Sequence, residues 1–127
     1  MSQGNTLIDS SAWIEALRAD GDPVMKSRVF ELISEGGAVL CDMVLLELWN
    51  GARGTSEHRM LGSIKGELEV VPTTDAVWKL ATELARKLRR KGVTVPASDV
   101  LIAACARHYS LELVHADGHY DQIAKIF

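Results

Sequence analysis

The stretch Thr6-Leu7-Ile8-Asp9-Ser10-Ser11-Ala12-Trp13 changes character in mid-course. Its first three residues form a short β-prone run that stops at an acid, Asp9. Beyond it, Ser10 or Ser11 offers a cap for a helix in which Trp13, Ala16 and Leu17 share one face. A strand that hands over directly to a helix is the repeating unit of α/β architecture. In such sheets ligands bind beyond the carboxyl ends of the strands, which is where Asp9 falls.

Working outward, the same alternation recurs. Gly21-Asp22-Pro23 interrupts the chain, with Pro23 suited to the first turn of a second helix along which Met25, Val29, Leu32 and Ile33 align. Gly36-Gly37 ends it, and Ala38-Val39-Leu40-Cys41 reads as a second strand. Asp42 is the expected cap of a helix over residues 43–50, and a weaker helix opened by Thr55 or Ser56 leads to Gly66. Residues 68–71 form the third expected strand, closed by Pro72. Thr73 or Thr74 then opens the clearest helix, in which Val77, Ala81, Leu84, Ala85 and Leu88 line one face and Gly92 is the terminator. Ser98 is the expected cap of a helix over residues 99–108, before a fourth strand at 111–114 and a short helix at 119–125. Strands alternating with helices predict a three-layer α/β/α sandwich around a mostly parallel, short-stranded sheet, with residues 1–127 as one domain.

With 47% hydrophobic and 24% charged residues among 127, the chain has the make-up of a folded domain. Its apolar runs fall far short of the roughly 20 residues that cross a bilayer. Met1-Ser2-Gln3-Gly4-Asn5 lacks the charged and apolar regions of a signal peptide, so the cytoplasm is the expected location. Cys41 and Cys105 lie among apolar residues without a CxxC partner and are expected to be buried free thiols. A formal net charge of −3 tells against a nucleic-acid partner unless bound cations neutralise some of the acids.

Four acids stand where such cations would sit. Asp9 ends the first strand, Asp117 follows the fourth, Asp99 opens the helix before it, and Glu47 interrupts the apolar turn Val44-Leu45-Leu46-Glu47-Leu48-Trp49. Each has a plainer alternative. Asp9 could open its helix, Asp99 could answer the helix dipole, and Asp117-Gly118 could be a turn. Glu47 either occupies a solvated stripe or is desolvated and needs a cation, a proton or donors. Gathered at one sheet edge, the four would repel one another unless a hard cation, Mg²⁺ or Mn²⁺, lay between them.

Leu7-Ile8-Asp9-Ser10-Ser11-Ala12-Trp13-Ile14 resembles the opening motif of PIN domains. Glu47-Leu48-Trp49-Asn50-Gly51-Ala52-Arg53 resembles their second motif, as found in VapC-type toxins. Ser98-Asp99-Val100-Leu101-Ile102-Ala103-Ala104 resembles the third, and Leu113-Val114-His115-Ala116-Asp117-Gly118-His119-Tyr120 the fourth. His115 stands where Thr is usual, and Tyr120 where Phe is usual. The resemblance runs from residue 6 to about residue 125.

It implies a ribonuclease that hydrolyses RNA phosphodiester bonds with Mg²⁺ or Mn²⁺ held by catalytic Asp9, Glu47, Asp99 and Asp117. It also implies a homodimer and a VapB-like antitoxin partner, while the short apolar runs predict no membrane association. Ser10 and Ser11 either hydrogen-bond a carboxylate or only cap the helix. Arg86, Lys87, Arg89, Arg90 and Lys91 either hold RNA phosphates or form a solvated helix end, and Arg53 is a further contact residue for substrate or partner. His58, His108, His115 and His119 share no spacing and are read as ordinary surface or core residues. Trp13, Trp49 and Trp78 are read as packing residues, Trp13 and Trp49 also as neighbours of a partner surface. The alternative is a PIN-like binding or assembly module that no longer cleaves, against which the intact set of acids speaks. A phosphotransferase would need an Asp-x-Asp at the end of the first strand or a Gly-x-x-x-x-Gly-Lys loop; the first strand lacks the former, and the latter is absent from the sequence.

Overall fold

Three consecutive buried residues, Thr6, Leu7 and Ile8, form β1 (Thr6–Ile8), and the chain turns into α1 (Ser10–Leu17) immediately after Asp9. The computed structural model describes residues 4–126. Part of the leader reading at residues 1–5, and both ends of the expected 1–127 domain, therefore lie outside the described residues. After α1 come α2 (Pro23–Ser34), β2 (Ala38–Cys41), α3 (Asp42–Gly51), α4 (Gly54–Glu67) and β3 (Glu69–Val71). Then follow α5 (Asp75–Arg90), α6 (Ala97–His108), β4 (Glu112–Val114) and α7 (His119–Ala124).

The strands form one sheet in the order β3-β2-β1-β4, and every pair is parallel. β1 and β2 occupy the centre and are buried at every residue, which is why they read as unbroken apolar runs rather than alternating ones. Only Val71 and Val114 are buried in the edge strands β3 and β4. Helix pairs α1/α2 and α5/α6 pack closely within the α/β/α arrangement. Ile8 pairs with Val114, so the ends of β1 and β4 lie side by side. All strands run the same way, so Asp9 and the loop after β4 emerge at one edge.

In α6, every residue from Asp99 to Ala106 is buried. A helix covered on all sides needs an apolar surface all round, and Val100, Leu101, Ile102, Ala103, Ala104, Cys105 and Ala106 supply it. It packs against α5, α7, α3 and β4. Cys41 and Cys105 are buried free thiols, as expected. Among the described residues no helix is long and apolar enough to cross a membrane.

Several helix ends differ from the sequence reading. Neither Ser10 nor Ser11 caps α1. Asp9 does, and its carboxylate accepts the Ser11 N–H. Asp42 is the first residue of α3 with Cys41 at the cap, and α6 starts after Pro96, which puts Ser98 inside its first turn. Both helices begin without a side-chain cap, so a search for capping oxygens shifts their starts. α4 opens at Gly54, whose φ of 74° suits glycine. Ala85 is exposed: the buried stripe of α5 is the narrow one of Val77, Ala81, Leu84 and Leu88. The expected ends are found elsewhere. Asp22 accepts from the Met25 N–H with Pro23 in the first turn of α2. α5 ends in a Schellman turn, with the Val93 N–H on the Leu88 carbonyl (2.9 Å) and Gly92 at φ 71°.

Candidate active site

Asp9 is 2% exposed. Its backbone N–H reaches the Val114 carbonyl across the β1–β4 seam at 2.9 Å, which fixes where the residue leaves the sheet. One carboxylate oxygen, Oδ2, accepts from the Ser11 N–H (3.0 Å) and from Ser11 Oγ (2.5 Å). The other, Oδ1, accepts from the Tyr120 hydroxyl at 2.7 Å. Three donors compensate for the loss of water that burial imposes. Ser11 Oγ also accepts from the Ala116 N–H at 3.0 Å, so one hydroxyl ties the first motif to the loop after β4.

Asp99 lies in the first turn of α6 and is 5% exposed. The Tyr120 hydroxyl lies 3.3 Å from its Oδ1, and His119 Nδ1 is 3.0 Å from its Oδ2. Burial, followed by the charge of Asp117, pushes the Asp99 carboxyl above its usual range, and the His119 contact opposes the shift. Glu47, half-buried on α3, accepts from Ser10 Oγ at 2.9 Å. Its carboxyl is also raised, first by desolvation and then, against the Ser10 bond, by the charges of Asp9 and Asp99.

Asp117 is held differently. It accepts from the His119 N–H at 2.9 Å, and that bond lowers its pKa. His119 Nδ1 stands 3.0 Å from Asp117 Oδ1 as well as beside Asp99. The ligand atoms of Asp99, Asp117 and His119 all lie within 4.8 Å of one another. The four acids singled out in the sequence thus share one electrostatic environment at the carboxyl edge of the sheet. The two serines hold two of them: Ser11 holds Asp9, and Ser10 holds Glu47.

Tyr120 and His119 were not legible as site residues. Tyr120 is 3% exposed, and burial together with the Asp9 charge pushes its phenol well up, so it stays a hydrogen donor. The available signal was a hydroxyl on a core aromatic, since a buried Tyr O–H needs a partner. His119 could be flagged only by its place two residues after Asp117.

Arg86, Lys87, Arg89 and Arg90 are exposed near the C-terminal end of α5, with Lys91 at its cap, and none forms an ion pair with the four acids among the described residues. Exposed Arg53 precedes α4, its N–H donating to Glu57. It lines a groove of about 800 Å³ that includes Ile14, Leu17, Glu47, Leu48 and Met60. Of the tryptophans only Trp13 is fully buried. Trp49 is 37% exposed and stacks at 5.7 Å on His58, and Trp78 is 53% exposed, so packing does not describe it.

A strand-end acidic centre of this composition on a parallel α/β/α sheet is the arrangement of a PIN domain. The PIN domain family matches residues 6–126, and the chain belongs to it. Ribonuclease VapC11 of Mycobacterium tuberculosis is 36% identical over 124 residues, which cover 94% of this chain and 92% of that protein. Ribonuclease VapC21 of the same organism is 36% identical over 94% of this chain and 86% of its own length. The crystal structure of VapBC2 from Rickettsia felis, bound to a DNA fragment from its promoter, contains a chain of the same fold. It matches with a TM-score of 0.77 at 18% identity, covering 96% of this chain and 95% of that one.

Proposed function

We propose that this chain is a divalent-metal-dependent endoribonuclease and the toxin of a VapBC-type toxin–antitoxin pair. The observation that carries the reading is the convergence of Asp9 and Asp99, both buried, with Glu47 and Asp117. Burial first, and then the charges of neighbouring acids, raise the Asp99 and Glu47 carboxyls, so a cation among them would favour their ionised forms. Carboxylate oxygens with one imidazole at the rim fit Mg²⁺ or Mn²⁺. Catalytic roles for Asp9, Glu47, Asp99 and Asp117 belong to this proposal.

A divalent cation held there would polarise the phosphodiester and lower the pKa of the water that attacks it. The chain's own residues prepare the place. Ser11 and Tyr120 fix both oxygens of Asp9, Ser10 orients Glu47, and the His119 backbone anchors Asp117. Attack by a metal-activated water requires no serine or cysteine nucleophile; Ser10 and Ser11 donate to carboxylates, and Cys41 and Cys105 are buried. Arg86, Lys87, Arg89, Arg90 and Lys91 hold RNA phosphates, and Arg53 serves substrate or antitoxin. The names of the relatives support a ribonuclease with a VapB-like partner. Residues 1–127 acting as one cytoplasmic domain within a homodimer complete the proposal.

The test is cleavage of RNA by purified protein with Mg²⁺, Mn²⁺ or EDTA, beside Asp9→Asn and Asp99→Asn. Cleavage in the presence of either metal, with a loss of at least about a hundredfold in both variants, is the expected result. Undiminished cleavage in EDTA, or by the two variants, would overturn it.

A further inference from the structure

We infer that the Tyr120 hydroxyl is a positioning donor for the acidic centre, bridging Asp9 and Asp99 so that both carboxylates are set for a divalent cation. The inference rests on the metal-dependent reading above. Tyr120 is 3% exposed, and its hydroxyl contacts the two acids, at 2.7 Å to Asp9 Oδ1 and 3.3 Å to Asp99 Oδ1. The shorter distance is that of a full O–H···O⁻ bond, and the longer one is a weaker, shared contact from a single hydrogen.

The consequence for Asp9 follows from where its other donors are. Ser11 Oγ and N–H both address Oδ2, so among the described residues Tyr120 is the donor that addresses Oδ1. With Tyr120, each oxygen is engaged from a different element. Ser11 belongs to α1 and Tyr120 to α7, 111 residues from Asp9, so rotation of the carboxylate is opposed from two sides. The hydroxyl's second contact sets the spacing of Asp9 and Asp99 before any cation arrives. The ring does separate work. It packs beside His115 with centroids 4.9 Å apart, and phenylalanine would reproduce that contact without touching either acid.

The test is Tyr120→Phe, which keeps the ring and removes one oxygen. Wild type and variant, both stripped with EDTA, are titrated with Mn²⁺ at fixed pH while free Mn²⁺ is followed by electron paramagnetic resonance. Circular dichroism monitors the fold. Removing a hydrogen-bond partner of a metal-ligating carboxylate weakens binding by about tenfold or more, so the Kd for Mn²⁺ should rise by that factor. RNA cleavage lost at limiting Mn²⁺ should return at saturating Mn²⁺. An unchanged Kd, with or without a lower melting temperature, overturns the inference and leaves Tyr120 as a packing residue. Wild type that fails to bind Mn²⁺ at all removes the metal reading itself, which is a different result from equal binding by both proteins.

Discussion

Ser10 and Ser11 are adjacent and chemically identical, yet the structure predicts different costs for their loss. In Ser11→Ala the protein loses a 2.5 Å bond to the buried Asp9 carboxylate and a 3.0 Å acceptor for the Ala116 N–H. A hydrogen bond to a charged group contributes about 1.5–3 kcal/mol, and a neutral one about 1. Ala116 is exposed, so water replaces most of the second, and the expected cost is about 2–3 kcal/mol. Ser10→Ala loses one 2.9 Å bond to half-buried Glu47, which water can also reach, and should cost about 1 kcal/mol or less. Denaturant unfolding of both variants in EDTA measures the difference, with a melting-temperature drop of roughly 10 °C for Ser11→Ala and a few degrees for Ser10→Ala. Equal costs, or a larger one for Ser10→Ala, would refute the assignment of the two hydroxyls to differently buried acids.

Asp99 and Glu47 have folded pKa values above their unfolded ones, so the native state holds protons that the unfolded chain has already released. Metal-free stability should therefore fall as pH rises from about 4 through their folded pKa values. The penalty is complete above that range. Asp99→Asn should remove part of this slope and be more stable than wild type at pH 7 in EDTA, as read by paired denaturant titrations at pH 4 and 7. Asp117, lowered by the His119 N–H, has the opposite sign: its stabilisation is present at neutral pH and is lost in acid as pH falls through its folded pKa. Replacing both Arg89 and Arg90 by Ala should raise the KM for RNA and flatten its salt dependence, with kcat unchanged. Identical salt slopes would mean that the α5 cluster does not meet phosphate.

Much of the fold was legible because its signals are local. β1 and β2 are buried on both faces, so unbroken apolar runs marked them, and Asp22-Pro23 and Gly92 marked helix ends by rules of backbone geometry. The starts of α1 and α6 were less legible because Asp9 takes the capping role from its serine neighbours and α6 begins right after Pro96 with no side-chain cap. Asp9 and Asp117 could be picked out because parallel strands deliver their ends to one edge, Asp99 as an acid opening a helix, and Glu47 as an acid in an apolar turn. Of their donors, Ser10 and Ser11 could be named as candidates but not matched to a particular acid, and Tyr120 could not be named at all. The Tyr120–Asp9 bond joins residues 111 apart, and Ser11–Ala116 joins residues 105 apart. No periodicity encodes such a pair.

Asp99 opens the helix that lies deepest in the protein, and this joins the chemistry of the site to the slowest motions of the chain. Local openings in most proteins are shed by surface loops and frayed ends, while the amides that exchange last open only with global unfolding. α6, buried from Asp99 to Ala106 and packed against α5, α7, α3 and β4, belongs to the second group. A cation or an inhibitor bound at its first turn acts on that global opening, because the site cannot dissolve while the helix stands. Ligand binding should then slow hydrogen exchange most along the whole run of amides 100–106, including those at the far end of the run from Asp99, and much less in exposed α4.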